Sequence, residues 1–289
     1  MTSEFLTRVM KAPLRIRKIL HDKYVRCRPF RVQGMTLYHH GVHESTNILK
    51  IASEGYERDM TEKFISLLEP GDHVVDVGAY IGYYTLLAAR RVGSSGHVWA
   101  FEPFPETFAL LERNLVVNCL RERVSIVQVA AGRDHRLAKF YLHWNPTRSS
   151  LVYRSGFKGA RVISVSTIAL DDFFAEQRNS RIDVVKIDVE GAELDVLEGM
   201  KGLIDRNPEL KLFVEYNPVT MAAAGIGAYD FIKQLYQAGF KYVYLLEKNL
   251  AAIEPTAASA SELNEWARLS NENTNLLCTQ TVPQGVTKR

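Results

Sequence analysis

Three absences narrow the class of protein before any motif is considered. The chain of 289 residues has no run of about 18 apolar residues, the length needed to cross a bilayer. The sequence therefore predicts no transmembrane helix. Its three cysteines, Cys27, Cys119 and Cys278, are odd in number and far apart. They fit buried thiols in a reducing cytoplasm better than a disulfide framework or a zinc site. With 46% hydrophobic and 24% charged residues, the composition excludes a disordered chain.

The net charge of +3 is unevenly distributed along the chain. Residues 1–31 hold nine Lys or Arg against two acidic residues, a net charge of +7, and the other 258 residues hold 27 basic and 31 acidic residues, a net of −4. The acidic remainder argues against a nucleic-acid-binding surface. Basic residues interrupt the apolar positions of the arm, which excludes a secretory signal. Apolar residues at helical spacing predict a helix that lies on an anionic membrane surface or, alternatively, packs on the protein.

Beyond residue 72, short apolar runs alternate with helical patterns, which indicates a parallel sheet wound by crossover helices. The strands predicted for this sheet are residues 74–77, 97–101, 124–129, 184–187, 212–215, 242–246 and 275–278. The predicted helices are residues 55–68, 85–92, 106–118, 192–204 and 229–238. Two further strands, 137–143 and 161–165, predict a small β excursion, and the pattern of residues 30–40 predicts a hairpin.

A glycine loop, Val75-Asp76-Val77-Gly78-Ala79-Tyr80-Ile81-Gly82, follows the first strand of the wound sheet. Glycines let the backbone turn sharply and let a ligand approach the main chain. A dinucleotide-binding fingerprint needs glycine at positions 78, 80 and 83, and Tyr80 and Tyr83 break it. No Lys-Ser/Thr pair follows Gly82, so a phosphate loop is also excluded. The acidic Asp76 suits a ligand with a cationic amino-acid end and a nucleoside.

Glu102 ends the second strand, twenty residues after Gly82. A carboxylate at this place can accept both hydroxyls of a ribose. The structural alternative is that Asp76 and Glu102 only cap the helices that follow their strands. Taken together, the two carboxylates point to S-adenosylmethionine.

A second group of polar residues ends the fourth and fifth strands. Lys186, Asp188 and Glu190 recur at period two, and Glu215 and Asn217 follow the next strand. Ligands of open α/β sheets bind beyond the carboxyl ends of the strands, where a carboxylate can align a hydroxyl and take its proton. Lys186 would anchor the acids or keep them ionised. Helix capping by Asp188 is one alternative, and magnesium held by Asp188, Glu215 and Asn217 is another.

Four segments together resemble the FkbM-type S-adenosylmethionine-dependent methyltransferases. They are residues 75–85 around the glycine loop, 101–106, 186–193 with the motif Lys-Ile-Asp-Val-Glu-Gly, and 275–277. Residues 55–57 and 170–172 also match. The resemblance covers residues 55 to 278. It implies a class I methyltransferase fold, a Rossmann-like α/β sheet of seven strands with the last antiparallel and helices on both faces. It also implies methyl transfer to a hydroxyl oxygen.

The resulting hypothesis is an S-adenosylmethionine-dependent O-methyltransferase that acts on a hydroxyl of a saccharide or secondary metabolite. The residues expected to hold the donor are Asp76, Gly78, Tyr80, Gly82, Glu102 and Phe104. The residues expected at the reacting oxygen are Asp188, Glu190, Lys186 and Glu215. Trp144 would stack on a sugar face or serve only in packing, whereas His39, His40 and His43 are expected on a polar face.

Residues 1–54 are interpreted as a basic N-terminal helical arm with a β-hairpin, and residues 55–289 as the methyltransferase domain. We expect a cytoplasmic protein, at most peripheral at the inner membrane face through residues 1–31, that either stays monomeric or forms a homo-oligomer. One alternative is a catalytically silent protein that keeps the cofactor pocket and acts on a partner through its basic arm. A nicotinamide-dependent oxidoreductase is disfavoured by the broken fingerprint.

Overall fold

The computed structural model describes residues 29–40, 57–157, 159–175, 181–246, 250–270 and 273–282. The strands in this part of the chain are β1 Phe30–Val32, β2 Met35–Leu37, β3 His73–Val77, β4 His97–Phe101, β5 Val124–Val127, β6 Ala130–Ala131, β7 Leu137–Leu142, β8 Arg161–Ile168, β9 Val184–Ile187, β10 Lys211–Tyr216, β11 Tyr242–Leu245, β12 Ala251–Ala252 and β13 Thr274–Thr279.

The α-helices of the same residues alternate with the strands. They are α1 Arg58–Leu67, α2 Tyr83–Val92, α3 Pro105–Val117, α4 Leu170–Ala175, α5 Glu193–Glu198, α6 Lys201–Arg206, α7 Pro218–Ala223, α8 Ala228–Gln237 and α9 Ala257–Leu269. None of these helices has both the length and the apolarity required to span a membrane.

The large sheet has the strand order β12-β11-β13-β10-β9-β3-β4-β5. Strands β5, β4, β3, β9 and β10 run parallel to one another, and β13 is antiparallel to both β10 and β11. This confirms the predicted α/β sheet with an antiparallel last strand. The described sheet has eight strands and not the expected seven, because the two-residue β12 folds back antiparallel on β11 at the edge.

Both faces of the sheet are covered by helices, as predicted. One core cluster contains Leu86 of α2 and Leu111 of α3, and the other contains Leu203 of α6 and Phe231 of α8. Because both faces are buried, central strands such as β9 are apolar without alternation, apart from Lys186. That exception marks the edge of the sheet at which polar side chains collect.

The N-terminal hairpin of β1 and β2 packs on the same core as α2 and α3. Its two-residue turn places Gln33 and Gly34 at φ 47° and 73°, the left-handed conformation that a tight hairpin requires. Asn118, which directly follows α3, binds the backbone N–H and C=O of Thr36 at 2.9 and 2.7 Å. The predicted hairpin is confirmed, whereas the helical arm of residues 1–28 and the boundary at residue 54 lie outside the described residues.

The predicted helix over residues 192–204 is wrong, because the chain forms two helices, α5 and α6, with a break at Gly199. A Cβ at Gly199 would lie 2.0 Å from the carbonyl oxygen of Gly132, so the chain passes directly against that strand end. Asp171 stabilises the break by donating its N–H to Gly199 O at 2.9 Å and accepting the Gly202 N–H at 2.8 Å. Tertiary contacts here override the helical pattern.

The predicted β excursion is confirmed as an antiparallel pair of β7 and β8, with Leu137 opposite Ser166. The short β6 adds to β8 in parallel, which makes a separate three-stranded sheet. The loop between β7 and β8 turns towards the carboxyl ends of the large sheet and contributes residues 144–149 and Leu151 to the cavity described next.

Candidate active site

A cavity of about 710 Å³ lies at the carboxyl ends of the parallel strands. Its lining comes from the segments that follow β3, β4, β9 and β10 and from the β7–β8 loop. Nine of the ten predicted site residues line it: Asp76, Gly78, Tyr80, Glu102, Phe104, Lys186, Asp188, Glu190 and Glu215. The tenth, Gly82, begins α2 and lies against Leu111, so the structure places it behind the cavity wall.

Gly78 occupies the point where β3 and β9 end side by side. Its φ of 78° is left-handed, and a Cβ there would lie 1.9 Å from the carbonyl oxygen of Asp188. The N–H groups of Gly78 and Ala79 both donate to Phe101 O at 3.0 Å, which ties the loop to β4. Only glycine meets both demands, and the main chain is left bare where it faces the cavity.

Asp76 is buried on β3, two residues before Gly78. Its Oδ2 accepts a hydrogen bond from Thr85 Oγ1 at 2.5 Å, and its Oδ1 has no hydrogen-bond partner in the described part of the chain. Burial raises the pKa of Asp76, and the neighbouring Lys186 opposes that shift. An acceptor oxygen without a partner is costly in a dry site and calls for a donor from a ligand.

Glu102 is buried at the end of β4, and each of its oxygens accepts one backbone N–H. Oε2 accepts from Tyr80 at 3.1 Å and Oε1 from Phe104 at 2.9 Å. Since a carboxylate oxygen has two lone pairs, each oxygen retains capacity for one more donor. Burial raises the pKa of Glu102 to about 8, and Asp76 adds to the shift.

Three rings form an aromatic wall beside Glu102. The ring of His40 lies 6.3 Å from that of Phe104, nearly parallel to it, and 5.9 Å from that of Tyr80. His40 also contacts Thr107 Oγ1 through Nε2 at 2.8 Å, and burial lowers the pKa of His40 to about 4. The prediction that His40 lies on a polar face is therefore wrong. Its position depends on the packing of the hairpin, which no local pattern reveals.

Lys186 is buried inside the sheet next to Asp76, its cross-strand neighbour on β3. Its Nζ contacts Asp188 Oδ2 at 3.2 Å and lies 4.7 Å from the centre of the Tyr84 ring. Burial alone would lower the pKa of Lys186, but Asp188, Asp76 and Glu57 raise it on balance. The predicted ion pair between Lys186 and Asp188 is present.

Glu190 connects the end of β9 to the β7–β8 loop. Its Oε2 pairs with Arg154 Nη2 at 3.0 Å, and its backbone oxygen accepts from Ser150 Oγ at 2.8 Å. Its φ of 59° is left-handed, unusual for a residue other than glycine. Burial raises the pKa of Glu190 to about 7, although Arg154 acts in the opposite direction. Glu190 thus anchors the loop to the strand end, and Arg154 was missed in the sequence.

The helix-capping alternative for Asp188 is wrong, because α5 has Ala192 at its N-cap and no side-chain cap hydrogen bond, and Glu193 instead binds the turn that precedes the helix. Glu193 accepts the N–H groups of Val189 and Gly191 at 3.0–3.1 Å, whereas the hydrogen bond described for Asp188 Oδ2 comes from Lys186. Burial raises the pKa of Glu193 to about 7. Glu193 therefore stabilises the turn between β9 and α5, whereas the Asp188 carboxylate lies at the cavity wall.

Glu215 reaches the cavity from β10 and is only 4% exposed. Its Oε1 accepts a hydrogen bond from Asn273, and its Oε2 has no partner among the described residues. Burial, Asp188 and Glu190 raise the pKa of Glu215 well above its ordinary value. Glu57, which matches the family segment at 55–57 but was not predicted as a site residue, completes a group with Asp188 and Glu215. One carboxylate oxygen of each of the three residues lies within 4.8 Å of the others.

Asn217 does not join that group as the sequence suggested. Its Oδ1 accepts the N–H groups of Val219 and Thr220 at 3.0 and 3.3 Å and so caps α7. At the opposite side of the cavity, Trp144 of the β7–β8 loop is 67% exposed and lines the opening. The cavity therefore combines the carboxylates of Asp188 and Glu215 with the exposed ring of Trp144.

Comparison with known families agrees with this geometry. The family model of the methyltransferase FkbM domain matches residues 76–242, which are more than half of the chain and include the glycine loop from Asp76 onwards, β4, β9 and β10. The chain belongs to the FkbM methyltransferase family.

Curated relatives match over part of their length. Hexuronic acid methyltransferase AglP of Haloferax volcanii is 27% identical over 144 residues, 50% of this chain and 56% of that protein. The 31-O-demethyl-FK506 methyltransferase FkbM of Streptomyces tacrolimicus is 32% identical over 161 residues, 46% of this chain and 61% of that protein. A crystal structure of methyltransferase FkbM from Methylobacillus flagellatus covers 91% of this chain and 59% of its own, with a TM-score of 0.45 and 14% identity. The chain spans less than two thirds of the length of these relatives.

Proposed function

We propose that the protein is an S-adenosylmethionine-dependent O-methyltransferase that acts on a hydroxyl of a saccharide or secondary metabolite. The observation that carries the proposal is that one cavity joins a bare glycine loop and buried Glu102 at one end to the carboxylates of Asp188 and Glu215 at the other. The first end suits a donor with a nucleoside and an amino-acid part. The second end supplies an acid that can orient the hydroxyl to be methylated.

The residues of the first end fit S-adenosylmethionine. Glu102 retains an accepting position on each oxygen for the two ribose hydroxyls, and Asp76 Oδ1 lacks a donor that a ligand ammonium group can supply. Gly78 keeps side-chain atoms away from the methionine part. Phe104 and Tyr80 offer ring faces to the adenine.

S-adenosylmethionine supplies, when bound, a methyl group on a positively charged sulfur. Asp188 would accept a hydrogen bond from the acceptor hydroxyl and take its proton. The ion pair with Lys186 fixes the direction of the Asp188 carboxylate. Glu215 would hold the acceptor from the neighbouring strand, and Glu190 would position the β7–β8 loop through Arg154.

The acceptor side favours a polyhydroxylated molecule. The polar atoms of Glu57, Asp188 and Glu215 lie at the floor, and the exposed ring of Trp144 lies at the opening, an arrangement suited to the polar edge and apolar face of a sugar. One relative is named for a hexuronic acid and another for a demethylated FK506. Both names are consistent with a hydroxylated acceptor.

Titration calorimetry with S-adenosylhomocysteine and with NAD tests the donor. We expect saturable binding of S-adenosylhomocysteine only, and binding of NAD alone would overturn the proposal. Incubation with labelled S-adenosylmethionine and fractionated metabolites from the source organism then tests transfer. Donor binding with no labelled product in any fraction would favour the catalytically silent alternative.

The basic arm stays a prediction, since residues 1–28 lie outside the described structure. Each basic residue near an anionic surface contributes about 1 kcal/mol to membrane binding. We therefore expect salt-sensitive sedimentation with anionic liposomes, no sedimentation with neutral ones, and none after removal of residues 1–28, which leaves β1 intact. A full-length chain that remains in the supernatant with anionic liposomes at low salt would contradict the membrane contact.

A further inference from the structure

We propose that Glu57, Asp188 and Glu215 form a binding site for one hard divalent cation, Mg²⁺ or Mn²⁺, at the acceptor end of the cavity. The three residues come from distant parts of the chain: Glu57 precedes α1, Asp188 follows β9, and Glu215 belongs to β10. One carboxylate oxygen of each lies within 4.8 Å of the others.

The unpartnered oxygen of Glu215 is the independent reason to expect a ligand. Glu215 is 4% exposed, and its Oε2 is inaccessible to solvent and receives no hydrogen bond in the described chain. Its Oε1 is held by Asn273, which fixes the direction of the carboxylate. An oriented, buried acceptor without a donor is costly unless a cation or proton binds it.

Lys186 does not supply the positive charge that Glu215 lacks. Its ammonium group bonds to Asp188 Oδ2 and lies next to Asp76 across the strand pair. Within the described residues, no Lys, Arg or His forms an ion pair with Glu215. The positive charge of Lys186 therefore stabilises the β3–β9 side of the site and leaves the β10 side without a cation.

The geometry and chemistry of the three residues suit a hard ion. Oxygen ligands of Mg²⁺ at about 2.1 Å are about 3 Å apart when adjacent and about 4 Å apart when opposite, within the observed spacing. An all-carboxylate set disfavours zinc and copper, which prefer nitrogen and sulfur. The remaining coordination positions would face the cavity. Binding of the ion to these three residues does not depend on the proposed function. Contact of the ion with an acceptor oxygen does depend on it.

Electron paramagnetic resonance of free Mn²⁺ titrated with the full chain tests the site directly. We expect one Mn²⁺ per chain, displaced by excess Mg²⁺, and at least a tenfold weaker dissociation constant in Glu215→Gln and in Glu57→Gln. Two control variants should bind Mn²⁺ like the natural chain. Glu102→Gln changes a buried glutamate at the donor end of the same cavity, and Glu62→Gln changes an exposed one on α1. Circular dichroism checks that each variant is folded.

The outcomes separate the site from the proposed function when S-adenosylhomocysteine is titrated into the same samples. Absence of saturable Mn²⁺ binding, or equal binding in folded Glu57→Gln and Glu215→Gln, overturns the metal site. If S-adenosylhomocysteine still binds in that case, the proposed function stands. Mn²⁺ binding that depends on Glu215 without any binding of S-adenosylhomocysteine supports the metal site and contradicts the donor.

Discussion

The two ends of the cavity are built differently. The donor end consists of consecutive residues in two strand-to-helix turns, where Gly78 and Glu102 are fixed by backbone hydrogen bonds to neighbouring strands. The acceptor end consists of side chains from five separate segments, among them Glu57, Trp144 and Asn273. A backbone-built site leaves a local signature in the sequence, and a site assembled from distant side chains leaves almost none.

The electrostatics of the two ends also differ. At the donor end, Glu102 lies among backbone donors that leave capacity for a neutral sugar. At the other end, burial and Asp188 raise the pKa of Glu190, which Arg154 offsets only in part, and burial, Asp188 and Glu190 raise the pKa of Glu215. The first end therefore suits the proposed recognition of a sugar, and the second suits the proposed proton or cation chemistry.

Gly78→Ala should have the largest effect at the donor end, and it should lower the stability of the protein. The new Cβ would meet Asp188 O at 1.9 Å, and the left-handed backbone adds strain, so the free energy of unfolding should fall by about 3 kcal/mol. Gly225→Ala is the matched control, since Gly225 has φ 79°, a Cβ there would meet no atom within 4 Å, and the variant should lose about 1–2 kcal/mol. Urea unfolding compares them. Equal losses would show that contact with β9 does not require the glycine.

Asp188→Asn should separate the two ends functionally. The amide keeps the shape of the side chain but cannot take a proton, so turnover should fall by about 10- to 100-fold while S-adenosylhomocysteine affinity stays the same. Calorimetry and methyl transfer with the identified acceptor measure the two effects. Parallel losses of affinity and turnover would assign Asp188 to the donor end or to folding.

Glu102→Ala should weaken S-adenosylhomocysteine binding by about 1.5–3 kcal/mol, the range for hydrogen bonds to a charged group. The variant also loses the acceptors of the Tyr80 and Phe104 N–H groups, so thermal unfolding must accompany the titration. An unchanged dissociation constant in a folded variant would remove Glu102 from the ribose.

The pH dependence of binding should sharpen the assignment of Glu102. Because its pKa is about 8 in the free protein, the carboxyl is protonated below that pH, and a ligand that needs the ionised form must displace the proton. Affinity for S-adenosylhomocysteine should then rise from pH 6 to about 8, by at most about tenfold per pH unit. Glu102→Gln removes this titration, and a variant that kept the same pH slope would assign it to another group.

Much of the fold was readable from the sequence because its strands are short apolar runs bounded by turns. Strands β4 and β9 have the predicted limits, and the hairpin and β excursion are present. The helix α9 was missed because Ala257–Leu269 reads as polar and alanine-rich, although Leu263 and Ala267 are buried on the sheet. Its start is capped by Thr256, whose Oγ1 accepts the Ser259 N–H at 3.1 Å.

The candidate site was predictable to the extent that it follows strand ends. Asp76, Glu102 and Asp188 each end a strand, and the topology of the sheet brings those ends together. Glu57 could not be found in this way, since it reaches the cavity only through the packing of α1. The same holds for His40, which does not line the cavity but contacts the Tyr80 and Phe104 rings through the packing of the hairpin.

The position of β13 between β10 and β11 has a consequence for biosynthesis. Lys211 of β10 and Tyr242 of β11 both pair with Thr279, so a nascent chain on the ribosome has two open strand edges until that residue emerges. Asn273, which orients Glu215, belongs to the same late segment. Completion of the sheet and completion of the acceptor end are therefore one event, and long-range pairing of this kind is slow. A partly synthesised chain should need protection from edge-to-edge association before it can bind an acceptor.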